Sequence, residues 1–360
     1  MTDLAVLAGA AASGWVITRF LVPPLAALCR RRGWLDQPGP RKSHLRPTPR
    51  LTGVALFAAI WVTLVLCALF LPRWIGEFAS HATVTLAGAL LMLALGVVDD
   101  LRPLSGLAKL IGQASIGSLL FAGGIGFDRL WVPFVGGIEL GILSWPVTLV
   151  WFLVLVNAVN IIDGMDGLAV STTAVATLPL IWVSWTLHLP AIWIGAAALC
   201  GGLIAFWKYN RPPATVFMGD SGSLTLGYFL AIVALLAPIK RFTALAFFVP
   251  ILALLLPLAE SAFAFGRRSW ARTNPLGADS GHLHHRLLDA GWSQGRILIA
   301  YNGFALALGA FCVGFRYGNR RLLAILLGIF VLSIILGLGI ILRQRVGSGS
   351  NRSVHRATEG

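Results

Sequence analysis

The chain has 360 residues and a formal net charge of +14, with 57% hydrophobic and only 12% charged residues. At a mean hydropathy of +0.82 it lacks the polar surface needed to dissolve a globule of this size, so a water-soluble domain is excluded and a lipid bilayer is the expected solvent. Its four cysteines, Cys29, Cys67, Cys200 and Cys312, lie far apart and mostly inside apolar runs, which speaks against a disulfide framework or a thiolate metal site.

A hydrocarbon core about 30 Å thick takes about 20 apolar residues per helix. Runs of that kind predict spans at 4–28, 51–71, 82–98, 106–124, 145–162, 168–187, 190–207, 222–238, 242–264, 297–316 and 321–342. The first run lacks a basic leader and a small-residue cleavage site, and is expected to be a retained span. The expectation is an all-α polytopic membrane protein of about eleven transmembrane helices. Residues 1–342 would form one transmembrane catalytic domain, followed by a basic, disordered cytoplasmic tail at 343–360. Between the fourth and fifth spans, "FDRLWVPFVGGIELGILSWP" alternates apolar residues around Gly136-Gly137 and predicts a small hairpin at the outer, periplasmic surface.

Loops on one side of this arrangement carry twenty Lys and Arg residues and those on the other side seven. The richer side is therefore cytoplasmic, with the N-terminus outside and the C-terminus inside. Topology and contact with anionic headgroups account for most of the positive charge, and nucleic acid is not needed to explain it.

Acidic residues at membrane depth are costly and mark functional sites. Of the fourteen in the chain, Asp99, Asp100, Asp163, Asp166 and Asp220 stand at predicted cytoplasmic span ends, in three separate loops. "GVVDDLRPLSGLAKL" ends one span with paired aspartates and sets Lys109 at the start of the next. Such a pair either raises the proton affinity of one member, making it a base near neutral pH, or is neutralised by a cation, or is merely solvated. "NAVNIIDGMDGLA" and "RPPATVFMGDSGSLTLG" place Asp and Asn beside Gly, a composition suited to tight turns and close backbone approach to anions. Oxygen donors of this kind suit Mg²⁺, for which Mn²⁺ can substitute, and hence a nucleotide or diphosphate substrate. A fourth loop supplies His282, His284, His285 and Arg286. These could clamp phosphate oxygens; zinc is the alternative, disfavoured by the lack of Cys partners.

"RKSHLRPTPRLTG", "DDLRPLSGLAKLIGQ", "NAVNIIDGMDGLA", "FMGDSGSLTLG" and "HLHHRLL" together resemble the polyprenyl-phosphate N-acetylhexosamine-1-phosphate transferases, glycosyltransferase family 4, over nearly the whole chain. The resemblance implies a bundle of ten or eleven helices in the bacterial inner membrane with a cytoplasmic cleft. It implies transfer of a sugar phosphate from a UDP-N-acetylhexosamine to undecaprenyl phosphate, with release of UMP. It further implies that Asp220 binds Mg²⁺ with Asn160 beside it, that Asp99 or Asp100 is the base, and that Asp163 and Asp166 shape the nucleotide and metal pocket. Lys109 would meet a substrate phosphate, and His44, Asn157, His282, His284, His285 and Arg286 would contact substrate. Ser280-Gly281 stands where many relatives carry a basic residue.

The "HLHHRLL" pattern favours a GlcNAc-1-phosphate donor, leading into O-antigen, teichoic acid or another envelope glycan, over the muramyl-pentapeptide branch. A direct displacement and a route through an aspartyl-phosphate both remain open at this stage, as does a homodimer. A transporter is the alternative from another class, but it would set its acids near the midplane, often in paired repeats.

Overall fold

The computed structural model describes residues 2–39, 46–74, 78–132, 136–236, 287–288 and 291–316. Nine complete α-helices lie among them: α1 (Asp3–Arg32), α2 (Val54–Phe70), α3 (Phe78–Leu101), α4 (Gly106–Ala122), α5 (Ser144–Ile162), α6 (Leu168–Thr186), α7 (Pro190–Asn210), α8 (Gly219–Leu236) and α9 (Gln294–Arg316). They coincide with nine of the eleven predicted spans. The other two, at 242–264 and 321–342, lie outside the described residues, as does the 343–360 tail. Helices α1, α2, α3, α5, α6, α7 and α8 are long and apolar enough to cross a membrane, and α4 is a shorter apolar helix. The chain is thus a multi-pass helical membrane protein.

Helix ends follow local chemistry. Thr2 caps α1 through its side chain, Arg30, Arg31 and Arg32 occupy the last turn where the helix dipole favours cations, and Gly33 closes it in the left-handed conformation at φ 72°. The Ser105 hydroxyl accepts the Ala108 N–H at 3.2 Å to start α4, and Pro190 opens α7, where its missing N–H costs nothing.

Helix α8 is the centre of the bundle. Every residue from Ser221 to Leu235 is buried, between α3 and α5. Tyr228 on α8 is fully buried and donates its hydroxyl to the Thr85 carbonyl of α3 at 2.6 Å, so its one polar group is satisfied in the core. On the far side, α1 and α7 approach to backbone contact. A Cβ at Gly14 would lie 1.9 Å from the Ala198 carbonyl oxygen, and one at Gly201 as close to that of Ala11. Small residues at such crossings are how membrane helices maximise packing where lipid offers no hydrophobic drive.

Two small antiparallel pairs complete the described fold: β1 (Leu35–Asp36) with β2 (Thr48–Pro49), and β3 (Arg129–Val132) with β4 (Gly136–Glu139). The second pair falls where the alternating sequence predicts a hairpin.

Candidate active site

The C-terminal ends of α3 and α5 and the N-terminal ends of α4 and α8 meet at one end of the bundle. Helix N-termini present unpaired N–H groups and the positive end of the dipole, so α4 and α8 bring favourable surroundings for carboxylates. Asp99, Asp100 and Asp220 are joined there through Lys109 and the α8 amides, and Asp163 lies near enough to feel the charges of Asp220, Asp100 and Asp166.

Lys109, in the first turn of α4, places its Nζ 2.6 Å from Asp99 Oδ2 and 3.1 Å from Asp220 Oδ1. It bridges two acids that are 121 residues apart. Asp99 Oδ1 is occupied separately by the Leu104 N–H at 2.6 Å. Asn160, from the last turn of α5, donates its Nδ2 to Asp220 Oδ1 and to the Ser223 hydroxyl, the latter at 2.9 Å. Asp220 is more open than the two charged groups it joins, at 25% exposed against 18% for Lys109 and 7% for Asp99, so of the two acids its carboxylate is the one presented to a ligand.

Asp100 faces a different partner. Its two oxygens accept the backbone N–H groups of Asp220 at 2.9 Å and Ser221 at 3.0 Å, capping α8 from a neighbouring helix. Gly219 makes this possible: it stands at φ 67°, and a Cβ there would come within 2.6 Å of both Asp100 oxygens and 2.1 Å of the Arg50 carbonyl oxygen. Arg50 in turn donates to the Asp100 carbonyl. The segment around it docks on the start of α8, with the Phe217 N–H bonded to the Pro49 carbonyl at 2.7 Å and the Thr52 hydroxyl to the Phe217 carbonyl at 2.7 Å. The first basic loop therefore reaches the site through Thr48 to Gly53, while His44 lies outside the described residues.

The turn between α5 and α6 carries Asp163 and Asp166. Desolvation, and then the charges of Asp220, Asp100 and Asp166, push the Asp163 carboxyl well above the usual carboxylate range. Asp166 is buried and accepts the Ala214 N–H at 2.9 Å. Asn210 accepts the Gly167 N–H at 3.1 Å and donates to the Val216 carbonyl at 3.0 Å, so the turn is braced against the segment leading into α8. Asn157 pairs with Gln113 of α4, donating to Gln113 Oε1 at 2.6 Å and to Leu153 O at 2.8 Å. This amide is committed to holding α5 on α4, one helical turn from Asn160.

Reading the sequence missed Arg50, Gln113, Asn210, Gly219 and Ser223. Gly219 had a signal in its position before Asp220; a carboxamide in an apolar helix, as Gln113 within α4 or Asn210 at the end of α7, is a weaker one. His282, His284, His285 and Arg286 lie outside the described residues.

Among the described residues no three His, Cys, Asp or Glu side chains form a metal cage. Asp220, with the Asn160 carboxamide hydrogen-bonded to it, offers a sparse oxygen-donor site beside further negative charge. That set fits Mg²⁺, which keeps several waters and is held by one or two carboxylates together with substrate phosphates.

A polytopic helical protein that gathers acids, an ammonium and carboxamides at one membrane face has the composition of a site for phosphorylated substrates. Residues 82–237 match the family model described as glycosyl transferase family 4. A decaprenyl-phosphate N-acetylglucosaminephosphotransferase of Mycobacterium tuberculosis is 32% identical over 346 residues, covering 88% of this chain and 85% of that protein. A Bacillus subtilis protein named as a probable undecaprenyl-phosphate N-acetylglucosaminyl 1-phosphate transferase is 29% identical over 82% of each chain. A phospho-N-acetylmuramoyl-pentapeptide-transferase of Clostridium perfringens is 30% identical over 74% of this chain and 83% of its own. The chain belongs to glycosyl transferase family 4.

Proposed function

We propose that the protein transfers an N-acetylhexosamine-1-phosphate, with GlcNAc-1-phosphate the favoured group, from a UDP-sugar to undecaprenyl phosphate. UMP leaves, and the product starts a cell-envelope glycan on the cytoplasmic face of the bacterial inner membrane. The observation that carries this reading is the meeting of Asp99, Lys109, Asn160 and Asp220 at one end of a membrane bundle. The relatives named for GlcNAc-phosphate transfer support the donor: the decaprenyl-phosphate enzyme aligns over 88% of the chain, the muramyl-pentapeptide enzyme over 74%.

In this reaction an oxygen of the acceptor phosphate forms a bond to the β-phosphorus of the UDP-sugar. The bond from that phosphorus to the bridging oxygen breaks, and its electron pair leaves with UMP. Catalysis of this kind is mainly positioning and neutralisation of charge. Asp99 is assigned the proton of the acceptor phosphate because it stands beside Lys109 and Asp220, whereas Asp100 is engaged in capping α8. Lys109 holds Asp99 and Asp220 in place through its two ion pairs. Asp220 and Asn160 are the residues that would hold Mg²⁺, which when bound neutralises and orients the diphosphate. The membrane setting keeps the isoprenoid tail in hydrocarbon while its phosphate meets a water-soluble nucleotide.

The test is UMP release by purified protein given UDP-GlcNAc, UDP-GalNAc or UDP-MurNAc-pentapeptide. Release that requires polyprenyl phosphate and Mg²⁺ and prefers an unmodified acetamido sugar is expected. Turnover with the pentapeptide donor alone would reassign the donor, and no release with any donor would overturn the transferase reading.

A further inference from the structure

Helices α4 and α5 pack along a seam that can be followed turn by turn. Lys109, Gln113 and Gly117 stand at four-residue spacing on α4 and so share one face. At the site end, Lys109 Nζ and Asn160 Nδ2 reach the same atom, Asp220 Oδ1, the ammonium at 3.1 Å. One turn further along α4, Gln113 meets Asn157 of α5 directly. At the next turn, a Cβ on Gly117 would lie 2.9 Å from a ring carbon of Phe152. The numbering rises on α4 as it falls on α5, so the two helices are antiparallel and the amide pair is the contact nearest the acids.

Asn157 Nδ2 donates to Gln113 Oε1 at 2.6 Å and to the Leu153 carbonyl at 2.8 Å, and Gln113 Nε2 returns a longer bond to Asn157 Oδ1 at 3.4 Å. A backbone carbonyl only accepts, which fixes the end of the Asn157 amide that is nitrogen. Three of the four hydrogen-bonding places on that amide are filled from within the protein. Its partner Gln113 is wholly buried. An amide engaged in this way has little left to offer a substrate.

Apolar contact is non-directional, whereas two amides bond only when their helices stand at one level and one rotation. Unpaired amides are costly away from water, so the pair resists slip. Asn160 is sensitive to such slip because its side chain is short. Moving α5 by one residue, about 1.5 Å, would carry its Nδ2 out of bonding range of Asp220. We propose that Gln113 and Asn157 are positioning residues. Their amide pair sets the level of α5 against α4, so that Lys109 and Asn160 converge on one oxygen of Asp220. The family resemblance implied substrate contact for Asn157; the geometry gives it a partner inside the protein instead. The assignment rests on the phosphoglycosyl transfer reading above, in which Asp220 and Asn160 hold Mg²⁺.

The experiment compares wild type, Gln113→Leu, Asn157→Leu and the double variant in detergent. Calorimetric titration without substrate gives Kd for Mg²⁺, UMP release gives kcat and KM for the UDP-sugar, and thermal melts confirm folding. Each single variant should weaken Mg²⁺ about tenfold and lower kcat by about as much, with KM within about twofold, the pattern of a lost support behind a ligand. The double variant should be no worse than the weaker single, because both substitutions remove one and the same contact. Should Gln113→Leu fail to fold, Gln113→Asn, which keeps the amide but withdraws it by one methylene, is read in the same way.

Unchanged Mg²⁺ affinity in Gln113→Leu overturns the assignment, as would a wild type that binds no Mg²⁺. So do effects that multiply in the double variant, or a KM raised several-fold in Asn157→Leu alone, which would return Asn157 to the substrate. Because Kd is read without turnover, a wild type that binds Mg²⁺ but releases no UMP would count against the transferase reading and leave the amide pair decided by the binding data.

Discussion

The carboxylate of Asp100 accepts the backbone N–H of Asp220 at 2.9 Å, so one acid holds the helix end from which the other projects. Asp100→Asn keeps the shape but replaces one acceptor oxygen by an N–H that faces the amides of α8. A buried donor left without its partner costs about 1–3 kcal/mol. The melting temperature in detergent should fall accordingly, and activity should drop about 10–100-fold, the scale seen when a support of a ligand is lost. An unchanged melting temperature would refute the clamp.

Asp220→Ala removes the one carboxylate that meets Lys109, Asn160 and the opening of the site together. Transfer should fall at least about 100-fold while membrane insertion is retained. Full activity in the correctly inserted variant would remove Asp220 from the proposed metal site.

Lys109 is the cation held between Asp99 and Asp220. In Lys109→Met two carboxylates face each other unpaired, and like charges favour either a proton or a metal. Calorimetric titration without substrate should show Mg²⁺ binding tightened about tenfold, although turnover falls because the acids are no longer held in place. Unchanged Mg²⁺ affinity would mean that the ammonium and the metal do not compete.

Asp163 holds its proton more tightly in the folded protein than in the unfolded chain. Between the ordinary carboxylate range and its raised value the native state binds more protons, so stability is present at low pH and declines as pH rises through that window. Thermal melts of chelator-treated protein should show this decline, and Asp163→Asn, which cannot ionise, should flatten it. A slope that persists unchanged in the variant would place the titration elsewhere.

Gly219→Ala introduces a Cβ at φ 67°, against the Asp100 oxygens and the Arg50 carbonyl. The left-handed conformation alone costs a non-glycine residue about 1–3 kcal/mol, and the clash must also displace Asp100 from the α8 amides. Lower thermal stability together with weakened Mg²⁺ binding is the expected pair of outcomes. A variant with wild-type values for both would show that the turn has room to relax.

Much of the fold was legible because its determinants are local. Apolar runs set the spans, and nine of them fall on described helices; caps such as Thr2, Ser105 and Gly33 act within a few residues of themselves. The convergence of acids at one end was legible too, since the positive-inside count placed Asp99, Asp100, Asp163, Asp166 and Asp220 at the same face. What the sequence left equal was the division of labour between neighbours. Asp99 and Asp100 are adjacent and chemically identical, and Lys109 reads equally well as a ligand for phosphate or a partner for acid.

The amino-acid sequence by itself determined that this is a multi-pass membrane protein with five family motifs and scarce acids at span ends, because hydropathy and turn chemistry are properties of short windows. Only the tertiary structure decided that Asp100 turns to the amides of α8 while Asp99 turns to Lys109, and that Lys109 is shared with Asp220. Successive residues of a helix point about 100° apart, so the packing of α3 between α4 and α8 sends two neighbouring carboxylates to different partners.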